Sequence, residues 1–288
     1  MSEVGFIGLG KMGLPMAGRL VDAGLRVRGY DPVDAARDAF AAAGGLAVDG
    51  AAAAAADVVV LMLPDSDVVD AVLFDGGVAA ALPAGSLVID MSSSAPLRTQ
   101  DVARRLAERS IAFVDAPVSG GVSGAVAGTL TIMLGGDDPA VERATAVIGT
   151  LGAVRHVGPV GAGHALKALN NLLSATHLWA TSEAILIGER FGLDAATMLD
   201  AINTSSGRSG STQKKWPDFV LPGTFDSGFS LALMLKDMRI ASDLAHRLNM
   251  PVELGDAAVQ RWADAREGLP ENADHTEIVR WLRGATSE

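Results

Sequence analysis

The chain has 288 residues, of which 49% are hydrophobic and 20% are charged. This composition is typical of a folded globular protein with one large α/β domain or two smaller ones, and it excludes the highly charged, disordered class. Lys and Arg number 23 and Asp and Glu number 34, and the resulting net charge of -11 argues against nucleic acid as a partner. The absence of cysteine excludes disulfides, thiolate metal sites and a cysteine nucleophile.

The sequence carries no export or membrane signal. Its first residues lead directly into the apolar run Val4–Ile7, without the basic region and cleavage site of a signal peptide. The most apolar stretch ends at Pro64 and is shorter than the roughly 20 residues that span a membrane. We therefore expect a cytoplasmic protein without a membrane partner.

The order of the predicted elements indicates two domains. Short β-branched runs alternate with Ala- and Leu-rich segments up to about residue 160, which is the pattern of βαβ units and a mainly parallel sheet. Helical spacing then replaces this alternation, so the sequence predicts an α/β domain over residues 1–162 and an all-α domain over residues 163–288. The predicted strands are 4–7, 26–30, 58–63, 87–90, 113–115, 129–134 and 153–156. The predicted helices of the second domain are 164–191, 194–203, 231–248 and 252–268.

A glycine motif follows the first predicted strand. Residues Gly8–Gly13 have the form G-x-G-x-x-G and open a helical pattern, which is typical of a turn that binds a dinucleotide pyrophosphate at a helix N-terminus. Asp31 ends the next strand about 20 residues later, where an acid binds the ribose 2′-hydroxyl and disfavours a 2′-phosphate. This favours NAD over NADP, although Arg28 and Arg37 weaken the inference, and Asp31 could instead cap the helix after Pro32. The cofactor-binding residues predicted here are Gly8, Leu9, Gly10, Lys11, Met12, Gly13 and Asp31.

A second glycine motif follows the predicted strand 113–115. Ser119, Gly120 and Gly121 can present consecutive backbone N–H groups and a hydroxyl to a carboxylate. The alternative is a turn that only reverses the chain. The motif suits a small organic acid as the ligand.

The third candidate cluster lies near the start of the long predicted helix. Lys167, Asn171 and Ser174 have the spacing of residues on one helix face. A lysine on an otherwise apolar face can act as a proton donor or acceptor. The alternative is an ordinary solvated lysine, which is the usual fate of this residue type.

Together these motifs resemble the β-hydroxyacid dehydrogenase family, whose members include 3-hydroxyisobutyrate dehydrogenase and tartronate semialdehyde reductase. The resemblance implies an α/β Rossmann-type dinucleotide-binding domain, an all-α C-terminal domain joined to it by a long helix, and a homodimer or homotetramer formed through the α domain. The segments that carry the likeness are Gly5–Gly13, Asp115–Gly121, Gly128–Leu130, Gly163–Asn171 and Lys236-Asp237.

The resemblance also implies a role for each matching residue. Lys167 matches the catalytic lysine of the family, and Asn171 matches the residue that orients the substrate. The residues that match the carboxylate-binding turn are Ser119, Gly120 and Gly121. The residues that match further cofactor contacts are Leu63, Pro64, Ser93 and Lys236.

The function implied is hydride transfer between NAD and a short 3-hydroxy carboxylic acid or its semialdehyde, with Lys167 as general acid and base. Residues Ser205–Arg208 favour a 3-hydroxyisobutyrate-like substrate, whereas the residues after Arg208 leave substrate identity open. The first alternative is tartronate semialdehyde reductase or another short hydroxy-acid dehydrogenase. More remote alternatives are an imine reductase, in which this lysine is usually absent, and a non-catalytic dinucleotide-binding module.

Overall fold

Two units make up the chain, Met1–Lys167 and Ala168–Glu288, in a computed structural model that describes residues 3–285. Each unit buries its own hydrophobic core. In the first unit the core lies on both faces of a sheet, which explains why the strands Val58–Leu61 and Leu87–Asp90 are buried at every residue.

The sheet of the first unit has nine strands within the described residues. Its strands are β1 (Glu3–Ile7), β2 (Arg26–Tyr30), β3 (Leu46–Ala47), β4 (Val58–Leu61), β5 (Leu87–Asp90), β6 (Ala112–Asp115), β7 (Val118–Ser119), β8 (Leu130–Gly135) and β9 (Gly152–Gly158). Their order is β3-β2-β1-β4-β5-β6-β8-β7, with β9 paired to β8. The pairs from β3 to β6 are parallel, whereas β8 runs antiparallel to β6 and β7.

Helices follow most of these strands, as expected for βαβ units. The α-helices of this part of the chain are α1 (Gly13–Asp22), α2 (Asp34–Ala42), α3 (Ser66–Asp70), α4 (Val78–Ala81), α5 (Pro96–Ala107), α6 (Gly121–Ala127) and α7 (Asp138–Ile148). A π-helical turn covers Ala71–Asp75, and short 3₁₀ turns cover Ala51–Ala54 and Gly149–Leu151. The predicted α/β pattern is confirmed.

Two strands were not predicted, and one ends early. β3 and β7 have two residues each, too few to show a hydrophobic period. β4 ends at Leu61 rather than at residue 63, and Leu63 donates its backbone N–H to Ser92 Oγ at 2.9 Å instead of to a neighbouring strand.

The second unit is helical. Its elements continue from α8 (Ala162–Phe191), which begins in the first unit, through α9 (Ala195–Asn203), a π-helical segment (Ser211–Val220), α10 (Leu231–Arg247), α11 (Glu253–Gly268), a 3₁₀ turn (His275–Glu277) and α12 (Ile278–Ala285). The four helices predicted by periodicity are confirmed to within two residues at each end. The π-helical segment was not predicted because Pro217 lies inside it and interrupts the regular hydrogen bonding of an α-helix. No helix among residues 3–285 is long and apolar enough to cross a membrane.

Candidate active site

The glycine motif lies where the strand order of the sheet reverses. β1 pairs with β2 on one side and with β4 on the other. The chain therefore adds strands first on one side of β1 and then on the other. Open parallel sheets bind ligands at the carboxyl ends of the strands beside such a reversal. The motif follows β1, and Leu63 and Pro64 follow β4, so the fold brings these predicted cofactor residues to one edge.

Close packing of the backbone explains why the first glycine of the motif is required. Gly8 has φ of +100°, and a Cβ there would lie 2.2 Å from the carbonyl oxygen of Met62. At Gly10, by contrast, a Cβ would meet no atom within 4 Å, so its backbone is open to a ligand. The loop is therefore closed on the sheet side and accessible on the other.

The N-terminus of α1 fits a dinucleotide pyrophosphate. No side chain caps this helix, and its first turn contains no acidic residue. Leu14 already donates its backbone N–H to the carbonyl oxygen of Gly10 at 3.0 Å, and Pro15 has no N–H, so the helix attracts an anion mainly through the positive end of its dipole. These observations, with the open backbone at Gly10, are what an NAD-binding loop requires.

Asp31 lies beside this loop. Its Oδ2 accepts the backbone N–H of Leu9 at 2.8 Å, and its Oδ1 accepts that of Val33 at 2.9 Å. A carboxylate has about four lone-pair sites, so two remain for a ribose hydroxyl. Arg37 is engaged by the carbonyl oxygen of Asp31 and by the Asp34 carboxylate, both at 2.7 Å. Asp31 therefore fixes the glycine loop, a role that the sequence did not reveal.

The ends of β4 and β5 are joined by side chains. The hydrogen bond from Leu63 to Ser92 links them, and Ser93 follows directly on the chain, half-buried. Asp90, at the end of β5, accepts the backbone N–H of Ser92 at 3.0 Å and the hydroxyl of Ser94 at 3.2 Å. This network fixes the loop that carries the predicted cofactor contact Ser93.

The predicted carboxylate-binding turn connects β7 to α6. Ser119 pairs with Thr131 across β7 and β8, and Gly120 and Gly121 follow with φ of +132° and +65°. Side-chain-bearing residues rarely adopt these angles, so both positions favour glycine. The turn thus places a hydroxyl and successive backbone N–H groups at the start of a helix, an arrangement that can bind a carboxylate.

A buried aspartate holds the first turn of α8. Asp115, at the end of β6, accepts the backbone N–H of Gly161 at 2.7 Å and that of His164 at 2.8 Å. Burial raises the pKa of the Asp115 carboxyl, and the nearby His164 opposes this shift. The His164 ring is itself fixed, with Nε2 3.0 Å from the carbonyl oxygen of Ser92 and Nδ1 2.8 Å from Thr99 Oγ1. The start of the helix that carries Lys167 is therefore tied to the sheet.

The helical unit fixes the other predicted residues by side-chain contacts. Asn171, 5% exposed, donates its Nδ2 hydrogen to Asp237 Oδ2 at 2.6 Å, and its Oδ1 accepts from Asn170 at 3.2 Å. Asp237 also lies 3.2 Å from Lys236 Nζ. The network links Asn171 on α8 to Lys236 on α10 through one buried carboxylate. Lys167 lies one helical turn before Asn171 and is half-buried.

Sequence reasoning missed part of these networks. His164 was not among the residues predicted for the site, and its position three residues before Lys167 was the only local signal. Asp237 was named only for its place beside Lys236, and the structure shows that it contacts that lysine and also accepts a hydrogen bond from Asn171. Among residues 3–285, no three His, Asp or Glu side chains are arranged to hold a metal ion.

Comparisons with known proteins identify the family. Residues 3–161 match the NAD-binding domain of 6-phosphogluconate dehydrogenase, and residues 161–282 match the NAD-binding domain of NADP-dependent 3-hydroxyisobutyrate dehydrogenase. The chain is 39% identical to 2-(hydroxymethyl)glutarate dehydrogenase of Eubacterium barkeri, over 92% of this chain and 89% of that protein. The chain belongs to the β-hydroxyacid dehydrogenase family.

Other members of the family are also similar to this chain over nearly its whole length. NAD-dependent L-serine dehydrogenase of Pseudomonas aeruginosa is 38% identical over 90% of both chains. A solved structure of Mycobacterium tuberculosis 3-hydroxyisobutyrate dehydrogenase with L-serine has a TM-score of 0.92 at 34% identity, over 98% of this chain and 99% of that one. These comparisons confirm the predicted fold class, the family and an NAD-dependent dehydrogenase that acts on hydroxy acids. The β-hydroxyacid dehydrogenases named here differ in substrate.

Proposed function

We propose that the protein oxidises a short 3-hydroxy carboxylic acid to its semialdehyde with NAD, or catalyses the reverse reduction. The observation that carries the proposal is the placement of Lys167 and Asn171 one turn apart on α8, with Asn171 fixed by the buried carboxylate of Asp237. A fixed amide beside a lysine can orient a substrate hydroxyl for proton transfer. A 3-hydroxyisobutyrate-like acid is the proposed substrate.

The proposed roles divide between the two domains predicted from the sequence, residues 1–162 and 163–288. The first holds the cofactor at the glycine loop and binds the substrate carboxylate at Ser119–Gly121. In the second, we assign Lys167 and Asn171 to the substrate and Lys236 to the cofactor. When bound, NAD supplies the hydride acceptor for oxidation of the carbinol carbon.

Proton movement in this proposal is carried by Lys167. In oxidation Lys167 would take the hydroxyl proton as the alcohol becomes the semialdehyde, while NAD held at the glycine loop would accept the hydride. Lys167 would then pass that proton to solvent. In reduction the Lys167 ammonium returns the proton to the carbonyl oxygen, with Asn171 holding that oxygen in place.

Initial-rate assays with NAD and then NADP test the proposal. The substrates are 3-hydroxyisobutyrate, 3-hydroxypropionate, glycerate, L-serine, 4-hydroxybutyrate and 2-(hydroxymethyl)glutarate, and a cyclic imine with NADPH serves as a counter-test. We expect turnover of at least one 3-hydroxy acid, with NAD preferred. Turnover of the imine alone would overturn the proposed reaction.

We also propose a cytoplasmic homodimer or homotetramer that forms through the α domain. Supporting this, α8 carries large apolar side chains that are exposed in the single chain, among them Leu173, Ile187 and Phe191, which are 58%, 70% and 83% exposed. Exposed apolar patches of this kind mark interaction surfaces. Light scattering after size exclusion measures the mass directly, and a monomer at micromolar concentration would contradict the proposal.

A further inference from the structure

A lysine that the proposed mechanism does not use lies in the helical unit. Lys215 belongs to the π-helical segment and is half-buried. Its Nζ lies 2.7 Å from Ser174 Oγ and 3.3 Å from the carbonyl oxygen of Ser174. An ammonium has three N–H donors, so one remains beyond these two contacts.

Ser174 fixes the position of this ammonium relative to α8. Ser174 is three residues after Asn171 and seven after Lys167, and these spacings lie on one helix face. The helix rises 1.5 Å per residue, so Ser174 is about 4.5 Å beyond Asn171 along the axis. The Lys215 ammonium therefore contacts the same face one turn past the residue that is proposed to orient the substrate.

No carboxylate of the described residues forms an ion pair with Lys215. Burial lowers the pKa of Lys215 to about 8, and the negative charge of Asp274 opposes this shift without direct contact. The Asp274 oxygens are already occupied, since they accept hydrogen bonds from Ser227 Oγ and from the backbone and hydroxyl of Thr276. Lys215 is thus a desolvated cation, and Asp274, the acid whose charge acts on it, is engaged elsewhere.

The neighbouring histidine does not supply a second cation. Burial lowers the pKa of His275, and the charge of Lys215 lowers it further. His275 Nδ1 lies 3.1 Å from the carbonyl oxygen of Phe229, which can only accept, so Nδ1 carries the hydrogen of the neutral ring. Lys215 is therefore the positively charged group of this cluster at neutral pH.

A desolvated cation without a paired anion costs free energy, and an anionic ligand group at its free N–H offsets that cost. We propose that Lys215 binds a second carboxylate of the substrate, so that the preferred substrate is a 3-hydroxy acid with two carboxylates. In that substrate the hydroxyl lies at Lys167 and Asn171, and the second carboxylate lies one turn further along α8. This assignment rests on the proposed function and narrows its substrate class to 3-hydroxyisobutyrate-like acids in which the methyl substituent is extended to a second carboxylate.

A matched pair of substrates tests the assignment. 2-(Hydroxymethyl)glutarate carries the second carboxylate, and 2-(hydroxymethyl)pentanoate has a methyl group in its place. We expect the wild-type kcat/KM for the dicarboxylate to exceed that for the monocarboxylate by about 10- to 100-fold, the range of a hydrogen bond to a charged group. Lys215→Met removes the ammonium at similar volume and should abolish this ratio.

Two further variants separate charge from packing. Lys215→Arg keeps the positive charge and should retain most of the ratio. Lys214→Met removes an exposed lysine from the same segment and should leave the ratio unchanged. Dissociation constants of both acids for the enzyme with NADH bound give the same comparison independently of turnover.

Each result has one meaning for the assignment. A high ratio that is lost in Lys215→Met and kept in Lys214→Met and Lys215→Arg supports it. Turnover without a preference for the dicarboxylate, or a preference that survives Lys215→Met, overturns the assignment and leaves the proposed function intact. Failure to bind or oxidise any hydroxy acid overturns both.

Discussion

The two units hold their predicted site residues by different means. In the first unit the predicted cofactor loop is defined by backbone geometry, namely the conformation of Gly8, the uncapped start of α1 and the backbone N–H of Leu9 held by Asp31. In the second unit the corresponding groups are side chains on helices, fixed by contacts such as Asn171 to Asp237 and Ser174 to Lys215. Backbone geometry suits a cofactor common to the family, whereas side chains can vary with the substrate.

Removal of the lysine at the start of α8 should give the largest loss of activity, and it tests whether a side chain can be lost without affecting the glycine loop. Lys167→Ala should lower kcat by about 10²- to 10⁴-fold, the usual contribution of a positioned acid or base. NADH binding should persist, since the glycine loop of the first unit is unchanged. Steady-state rates and fluorescence titration with NADH measure the two effects separately, and turnover near the wild-type rate would remove Lys167 from the mechanism.

Breaking the side-chain network of the second unit should lower activity by a smaller factor. Asp237→Ala removes the acceptor that fixes Asn171, and we expect kcat/KM for the hydroxy acid to fall by about 10- to 100-fold, as for other buried hydrogen bonds to charged groups. Asp237→Asn should restore part of the loss, because its side-chain oxygen can still accept.

The readout for Asp237 distinguishes positioning from simple destabilisation. Separate kcat and KM values, measured well below the melting temperature of each variant, should show the loss mainly in kcat. Asp243→Ala removes an exposed carboxylate from the same helix and serves as the control. Equal losses in both variants would argue against a specific role for Asp237.

The buried carboxylate of the first unit should affect stability rather than substrate choice. The two oxygens of Asp115 accept hydrogen bonds from two backbone N–H groups. Asp115→Asn replaces one oxygen by an amide NH₂ group, so that one of these backbone N–H groups faces another donor. The free energy of unfolding should fall by about 1 to 3 kcal/mol, the cost of leaving a buried polar group unsatisfied. Urea unfolding measures this change, and unchanged stability would show that the first turn of α8 does not depend on Asp115.

The smallest expected effect is a pH dependence confined to the second unit. The pKa of Lys215 is about 8, so its ammonium loses the proton as pH rises from 7 to 9. The dicarboxylate to monocarboxylate ratio of kcat/KM should fall by up to about tenfold over this range, since kcat/KM follows ionisation of the free enzyme.

The other groups around Lys215 do not change their protonation state between pH 7 and pH 9. Asp274 has a pKa well below its usual range through its bonds to His275 and Thr276, so it stays ionised, and His275 stays neutral because burial lowers its pKa. Ser174, on the facing helix, does not titrate. In Lys215→Arg the ratio should be independent of pH, because the guanidinium remains charged. A pH-independent ratio in the wild type would exclude Lys215 as the titrating group.

The sequence predicted the first unit better than the contacts of the second. Strand periodicity, the glycine motif and the spacing to Asp31 are local patterns, and they are sufficient to place the glycine loop after the first strand. The bond between Asn171 and Asp237 joins residues 66 apart in the chain, and that between Ser174 and Lys215 joins residues 41 apart. No local period encodes such pairs, because they depend on how the helices pack.

The attachment of α8 to the sheet also has a consequence for folding. The first N–H groups of a helix have no partner within it, and here Asp115 on β6 satisfies two of them, from Gly161 and His164. The turn that leads to Lys167 therefore depends on β6 for two of its hydrogen bonds. Amide exchange should show this turn opening together with β6 rather than with the rest of α8, so that the lysine becomes ordered as part of the first unit although the helix it occupies belongs mostly to the second.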